Sequence, residues 1–123
     1  MCPFRTHTRH QLSDVANGLC YLHSHNVVHR DLKGVRDCSE SHPITVLTSD
    51  QPNILVDADG RARIMDFRLA TVAIDVNFEP SPSDQRVGSE QWSAPEVLLK
   101  NERTSKKTDI FSFAMVMIEV RCR

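Results

Sequence analysis

Four short stretches of this chain hold side chains that could do chemistry together. His29-Arg30-Asp31-Leu32-Lys33 sets a carboxylate two residues before a lysine, and Asn53 offers an amide oxygen. Asp66-Phe67 brings a second carboxylate, and Ala94-Pro95-Glu96 a third. Transfer of a phosphoryl group draws on such a set. A carboxylate positions the attacking hydroxyl and accepts its proton, hard oxygen atoms hold a divalent cation, and positive charge lies near the transferred group. Taken singly, each residue has a plainer reading: an Asp after a strand is usually a turn residue, and a Lys is usually a solvated charge. The weight lies in their order along the chain.

That order, HRDLK, then Asn53, then Asp-Phe, then Ala-Pro-Glu, resembles the signature set of protein kinases. A lone HRD or Asp-Phe carries little; four landmarks in sequence, each in its expected context, carry much more. The chain resembles the first part of a eukaryotic protein-kinase C-terminal lobe over nearly every residue except 35–51 and the first few. Lys33, two residues after Asp31, resembles the serine/threonine type, and the surrounding text the tyrosine-kinase-like group.

The resemblance implies an α+β fold: a mainly helical, partial protein-kinase C-terminal lobe with a small β-hairpin, one partial domain over residues 1–123. It implies ATP and Mg²⁺ as cofactors and a protein substrate as partner, with the γ-phosphoryl group passing to a protein hydroxyl. On that reading Asp31 is the catalytic base, and Lys33 neutralises charge building on the γ-phosphate. Asn53 and Asp66 hold the metal. Arg30 reads a phosphate in the activation segment, and Asp109, within KTDIFSFA, anchors the backbone of the catalytic loop. His29 and Phe67 complete their motifs as structural residues. Ser89, in GSEQWSAPE, falls in the substrate-contact segment; as phosphosites, Ser81, Ser83 and Ser89 read first as plain loop serines. Glu96 is expected to lack, within this stretch, the arginine that usually pairs with it.

The elements that must position these groups are legible in outline. Over residues 9–25, Leu12, Val15, Ala16, Leu19 and Leu22 recur at helical spacing, which predicts an amphipathic helix stopped at Asn26. Val27 and Val28 make a short β-like step into HRDLK. NILVD and RARIMDF flank Ala58-Asp59-Gly60 and predict a β-hairpin whose turn uses the positive φ that Gly60 supplies. Residues 71–91 read as loop, and a helix is expected to begin near Pro95. The stretch TDIFSFAMVMIEVRCR is apolar nearly all the way round. It is too short to span a bilayer and reads as a helix buried inside a domain; an isolated chain ending there is expected to expose an apolar patch.

Composition narrows the function classes. At 123 residues the chain has room for one domain. With 40% hydrophobic and 25% charged residues it reads as globular, not disordered. The formal net charge is −1, and no basic stripe appears, so nucleic acid and anionic membrane find no electrostatic support as partners. The N-terminus lacks the apolar core of a secretory signal. Cys2, Cys20, Cys38 and Cys122 lie far apart without a C-x-x-C pair, as expected of reduced thiols in a cytoplasmic or nuclear protein. The pairs His7/His10 and His23/His25 have no finger spacing to suggest zinc. Nothing in the sequence sets an oligomeric state.

Two departures from the kinase pattern stand out. Arg68 occupies the place of the Gly in Asp-Phe-Gly, where glycine allows backbone angles that Arg resists; Ala114 replaces another common Gly more mildly. No Gly-rich loop precedes a strand and no V-A-I-K lysine is found, so the lobe that covers ATP is expected to be absent and the chain alone to be inactive or nearly so. The runner-up reading is a non-catalytic, pseudokinase-like interaction module. Arg68 and an interruption of the catalytic loop favour it; the intact Asp31, Lys33, Asn53 and Asp66 oppose it.

The interruption is residues 35–51. Without it the text reads HRDLKGPNILVD, and Asn53 falls five residues after Asp31, as the family requires. Closing such a loop costs roughly 2–3 kcal/mol, which a fold can absorb. The harder demand is that Gly34 and Pro52 end up adjacent, with the segment bulging outward. The insertion begins with Val, whose codons start GT, and ends with Gln, which CAG encodes. Its Leu47-Thr48 codons can spell a splicing branch point. The reading is a retained intron; the alternative is a genuine loop insertion. Genomic sequencing across both edges is expected to show GT…AG, and any other dinucleotides there remove the intron.

Overall fold

The capping chemistry of two helices sets the frame. The computed structural model describes residues 4–37, 52–73, 90–100 and 102–122. Helix α1 spans Phe4–Ser24. It ends where Asn26 adopts φ 58°, the left-handed conformation that terminates a helix, with the Asn26 amide bonded to His23 O at 3.1 Å. Helix α2, Pro95–Lys100, starts on a proline, whose missing N–H is no loss in a first turn. Helix α3, Lys106–Cys122, starts with a reciprocal pair of bonds. Ser105 N–H donates to Thr108 Oγ1 at 2.9 Å, and the Thr108 hydroxyl donates back to Ser105 O at 2.8 Å. A 3₁₀ turn, Glu90–Trp92, lies against α3, where Ser112 Oγ donates to Trp92 O.

Five short strands join these helices. The expected hairpin forms from β3, Ile54–Val56, and β4, Ala62–Ile64, paired antiparallel with Leu55 opposite Arg63. Gly60 turns it with φ 77°, and the Asp57 carboxylate accepts the amides of Asp59 and Arg61. Strand β1, Val27–Val28, pairs antiparallel with β5, Thr71–Val72. The loop expected over residues 71–91 gives way at its start to this strand, because two residues carry no alternation to mark it. Strand β2, Arg36–Asp37, lies within the insertion and pairs parallel to β3. The insertion was expected to bulge outward from its first residue; instead Val35 packs against the core and the next two residues occupy the free edge of β3, whose backbone groups want partners. Residues 38–51 lie outside the described residues.

The core gathers Val15 and Leu19 of α1, Leu32, Ile54, Val56, Ala62 and Val116 of α3, with Val35, Ile64, Trp92, Phe113 and Val120 packed around it. Of the stripe read on α1, Val15 and Leu19 are buried and Leu12 and Leu22 half-buried, while Ala16 is exposed. It lines an open groove between α1 and α3 with Cys20, His23 and Phe113. Helix α3 departs further from expectation. It buries Thr108, Asp109 and Val116, whereas Ile110 and Ile118 are 54% and 55% exposed. Burial all round needs neighbours on every side, and among the described residues α3 meets α1, β1 and the 3₁₀ turn on one side. The expected exposed apolar patch is therefore its outer face. No helix among the described residues is long and apolar enough to cross a membrane.

One buried carboxylate ties these pieces together. Asp109, 1% exposed, accepts the backbone amides of His29 at 2.8 Å and Arg30 at 2.9 Å, and an N–H of His23 at 2.9 Å. Asp109→Ala strands two buried amides and is expected to lower stability by about 3–5 kcal/mol. Asp109→Asn, which keeps one acceptor for them, should lose about half as much. Urea unfolding checks this, and a loss under about 1 kcal/mol for the alanine variant would mean that the loop is held by something else.

Candidate functional site

The loop that follows β1 is built around His29, which is fully buried. Its Nε2–H donates to Met65 O at 2.9 Å, which leaves Nδ1 to accept the Asp31 amide at 3.2 Å. The Phe67 ring meets the imidazole edge-on, centroids 5.3 Å apart. One side chain thus fixes the loop carrying Asp31 to the segment carrying Asp66. Arg30 takes φ 73°, and its Nε–H donates to Thr104 Oγ1 at 2.8 Å, ahead of α3.

Across the insertion the chain closes tightly. Gly34 adopts φ 55°, and a Cβ added there would lie 3.0 Å from Pro52 Cβ, so glycine is favoured on both counts. The Asn53 amide donates to Lys33 O at 2.8 Å. The Asn53 side-chain amide donates to Asp31 O and, at 3.0 Å, to Asp31 Oδ2. Lys33 Nζ lies 3.8 Å from the same Oδ2, and both side chains are under 10% exposed. Asp31, Lys33 and Asn53, named from the sequence alone, therefore form one buried cluster. Two donations by Nδ2 fix the Asn53 amide so that Oδ1 is the atom left to face a ligand.

Asp66 joins the cluster through the backbone, Met65 N–H donating to Asn53 O at 2.7 Å. Its own carboxylate is taken. Arg68 Nε–H donates to Oδ1 at 2.7 Å, Nη2–H to Oδ2, and the Arg68 amide to Oδ1 at 3.3 Å. The hydrogen bond from the Arg68 side chain holds the Asp66 carboxyl well below the ordinary carboxylate range, at about 2, against the opposing effect of burial. The sequence reading put the backbone difficulty at Arg68. The structure puts it two residues earlier: Asp66 takes φ 60°, and Arg68 is not in the left-handed region. The fork that Arg68 makes was missed, although its spacing, two residues from an acid, was on view.

The remaining candidates divide. Asp109 meets the loop backbone as described. Glu96 is half-buried, and among the described residues its carboxylate forms no ion pair. Ser81, Ser83 and Ser89 lie outside the described residues. His23 was weighed only as a metal ligand; its bond to Asp109, 86 residues away, leaves no trace in local spacing. Among the described residues no group of three His, Cys, Asp or Glu side chains is arranged to hold a metal ion. The hard donors suited to Mg²⁺ are Asn53 Oδ1 and the Asp66 carboxylate, right in chemical type, with the second engaged by Arg68.

The Asp66–Arg68 pair has a pH signature. A depressed carboxyl contributes stability that is fully present above the ordinary value of 3.8 and is lost as pH falls through about 2. Carboxyl-carbon NMR should give Asp66 a midpoint near 2, and Arg68→Ala should return it toward the ordinary range. An unmoved midpoint would mean that the pair does not form in solution.

Comparison with known proteins agrees with the geometry. Residues 4–123 match the family described as protein tyrosine and serine/threonine kinase. The chain is 38% identical over 112 residues to the probable serine/threonine-protein kinase drkC of Dictyostelium discoideum, covering 89% of this chain and 12% of that protein. It is 33% identical over 109 residues to the serine/threonine-protein kinase CTR1 of Arabidopsis thaliana, covering 87% and 11%. It is 31% identical over 112 residues to the mitogen-activated protein kinase kinase kinase YODA of the same plant, covering 91% and 10%. The chain thus spans about a tenth of the length of these relatives. A match over nearly the whole chain places it in the protein tyrosine and serine/threonine kinase family, on the serine/threonine side.

Proposed function

We propose that this chain carries the catalytic loop of a protein serine/threonine kinase, a phosphotransferase that moves the γ-phosphoryl group of ATP to a protein hydroxyl, and that the segment alone is inactive or nearly so. The observation that carries the reading is the Asp31–Lys33–Asn53 cluster, closed across the seventeen-residue segment 35–51 with Asn53 bonded to both the backbone and the carboxylate of Asp31. Asp31 Oδ2 is engaged by Asn53 and faces Lys33. Oδ1 is then the atom that takes the proton of the substrate hydroxyl as its oxygen bonds to phosphorus and the bond to the leaving ADP breaks. Lys33 would offset charge on the transferred group. Asn53 and Asp66 would hold Mg²⁺, which when bound supplies positive charge to the phosphates. Arg30 would meet a phosphorylated activation segment, and the protein would work in the cytoplasm or nucleus on a protein substrate.

A second reading, a non-catalytic pseudokinase-like interaction module, is favoured by one observation: Arg68 engages both oxygens of Asp66. Thermal unfolding with ATP separates the two. For the kinase reading, ATP at tenfold over its Kd with saturating Mg²⁺ should stabilise the chain by about 1.4 kcal/mol, and Asn53→Ala should remove most of that shift. No shift at any nucleotide concentration would sink the catalytic reading in favour of the module.

A further inference from the structure

Arg68 sits where the kinase pattern has a residue without a side chain, and it does more than fill space. Its fork meets Asp66 edge-on, one nitrogen on each carboxylate oxygen, with its own amide adding a third donor. Bidentate pairing of this kind uses the in-plane lone pairs that a cation would otherwise take. The Asp31 carboxylate also acts on the same guanidinium, so it lies in the field of both acids of the proposed site. The Arg68 side chain is nevertheless 81% exposed against 24% for Asp66, so the clasp can open toward solvent without disturbing the core.

We propose that Arg68 is a resident cation at the Asp66 carboxylate and sets the affinity of the site for divalent metal ions, which bind only by displacing the guanidinium. The inference rests on the assignment of Asp66 as a metal ligand made above. A partly exposed charge-assisted pair has a modest strength, so removing it should tighten divalent-ion binding on the order of fivefold. Lysine keeps the charge but cannot fork, so Arg68→Lys should fall between the wild type and the uncharged variants.

The test is a Mn²⁺ titration of the full chain, with free ion read by electron paramagnetic resonance. Arg68→Gly and Arg68→Gln are both used; Gln preserves length should Gly loosen the backbone. A fivefold gain in either, abolished by adding Asp66→Asn, supports the inference. No gain overturns it, whether both proteins bind alike or neither binds. ATP binding measured with saturating Mg²⁺ by equilibrium dialysis reports separately on the nucleotide reading. Nucleotide bound without any Mn²⁺ gain overturns the role of Arg68 alone. A Mn²⁺ gain in a chain that never binds ATP supports Arg68 as the competitor and removes the kinase reading instead.

Discussion

The Asp109 carboxylate is the constraint on which the rest of the structure hangs. From the first turn of α3 it reaches back 80 residues to the His29 amide, takes the next amide as well, and receives an N–H from α1. A buried charge without such donors would cost several kcal/mol, so α1, the loop and the start of α3 are stable only together. Arg30, the second of these donors, has a left-handed backbone that costs about 1–2 kcal/mol in a non-glycine residue, and the pair of charge-assisted bonds to Asp109 offsets it.

That anchor explains why an insertion in the middle of the loop leaves its chemistry in register. The positions of Asp31 and Lys33 are set from the N-terminal side by His29 and Asp109; those of Asn53 and Met65 are set by the hairpin. The two halves then meet through bonds that do not run through residues 35–51: Asn53 to Lys33 O, Asn53 to Asp31, His29 to Met65 O. Gly34 eases the meeting, since its φ of 55° and the close contact with Pro52 both disfavour a side chain. The intervening chain contributes a loop-closure entropy that grows only logarithmically with length. Spatial order is kept because the contacts that enforce it are short-range across the gap, however long the gap is.

The sequence made the site legible where chemistry fixes residue type and left it obscure where geometry decides. Asp31, Lys33 and Asn53 could be named because each must carry a particular functional group. The hairpin could be named because Gly60 and the flanking apolar residues mark its turn and register. Helix α1 was readable through Val15 and Leu19, but Ala16 was not, because a small apolar residue fits either a core or an open groove. Helix α3 was misjudged for a related reason. Its apolar residues encircle it, and pattern alone cannot state which face finds a neighbour. Strand β2 is formed by Arg36 and Asp37, two polar residues held by backbone pairing, to which side-chain patterns are blind. The Arg68 fork depends on the φ of 60° at Asp66, a backbone state no composition encodes.

These contrasts divide the site into two mechanical halves. Asp31, Lys33 and Asn53 are nearly closed to solvent and bonded to one another, so their positions are tightly determined. Met65, Phe67 and Arg68 are 46%, 49% and 81% exposed, and Asp66 sits among them on a left-handed backbone. The first group is fixed by bonds among its own members, whereas the second contacts the frame through His29 and the backbone of Asn53. The exposed half is also where the substitution away from the family pattern has settled. Arg68 engages the Asp66 carboxylate and makes no bond to the buried cluster, so a change at this position acts on local electrostatics before it acts on the fold.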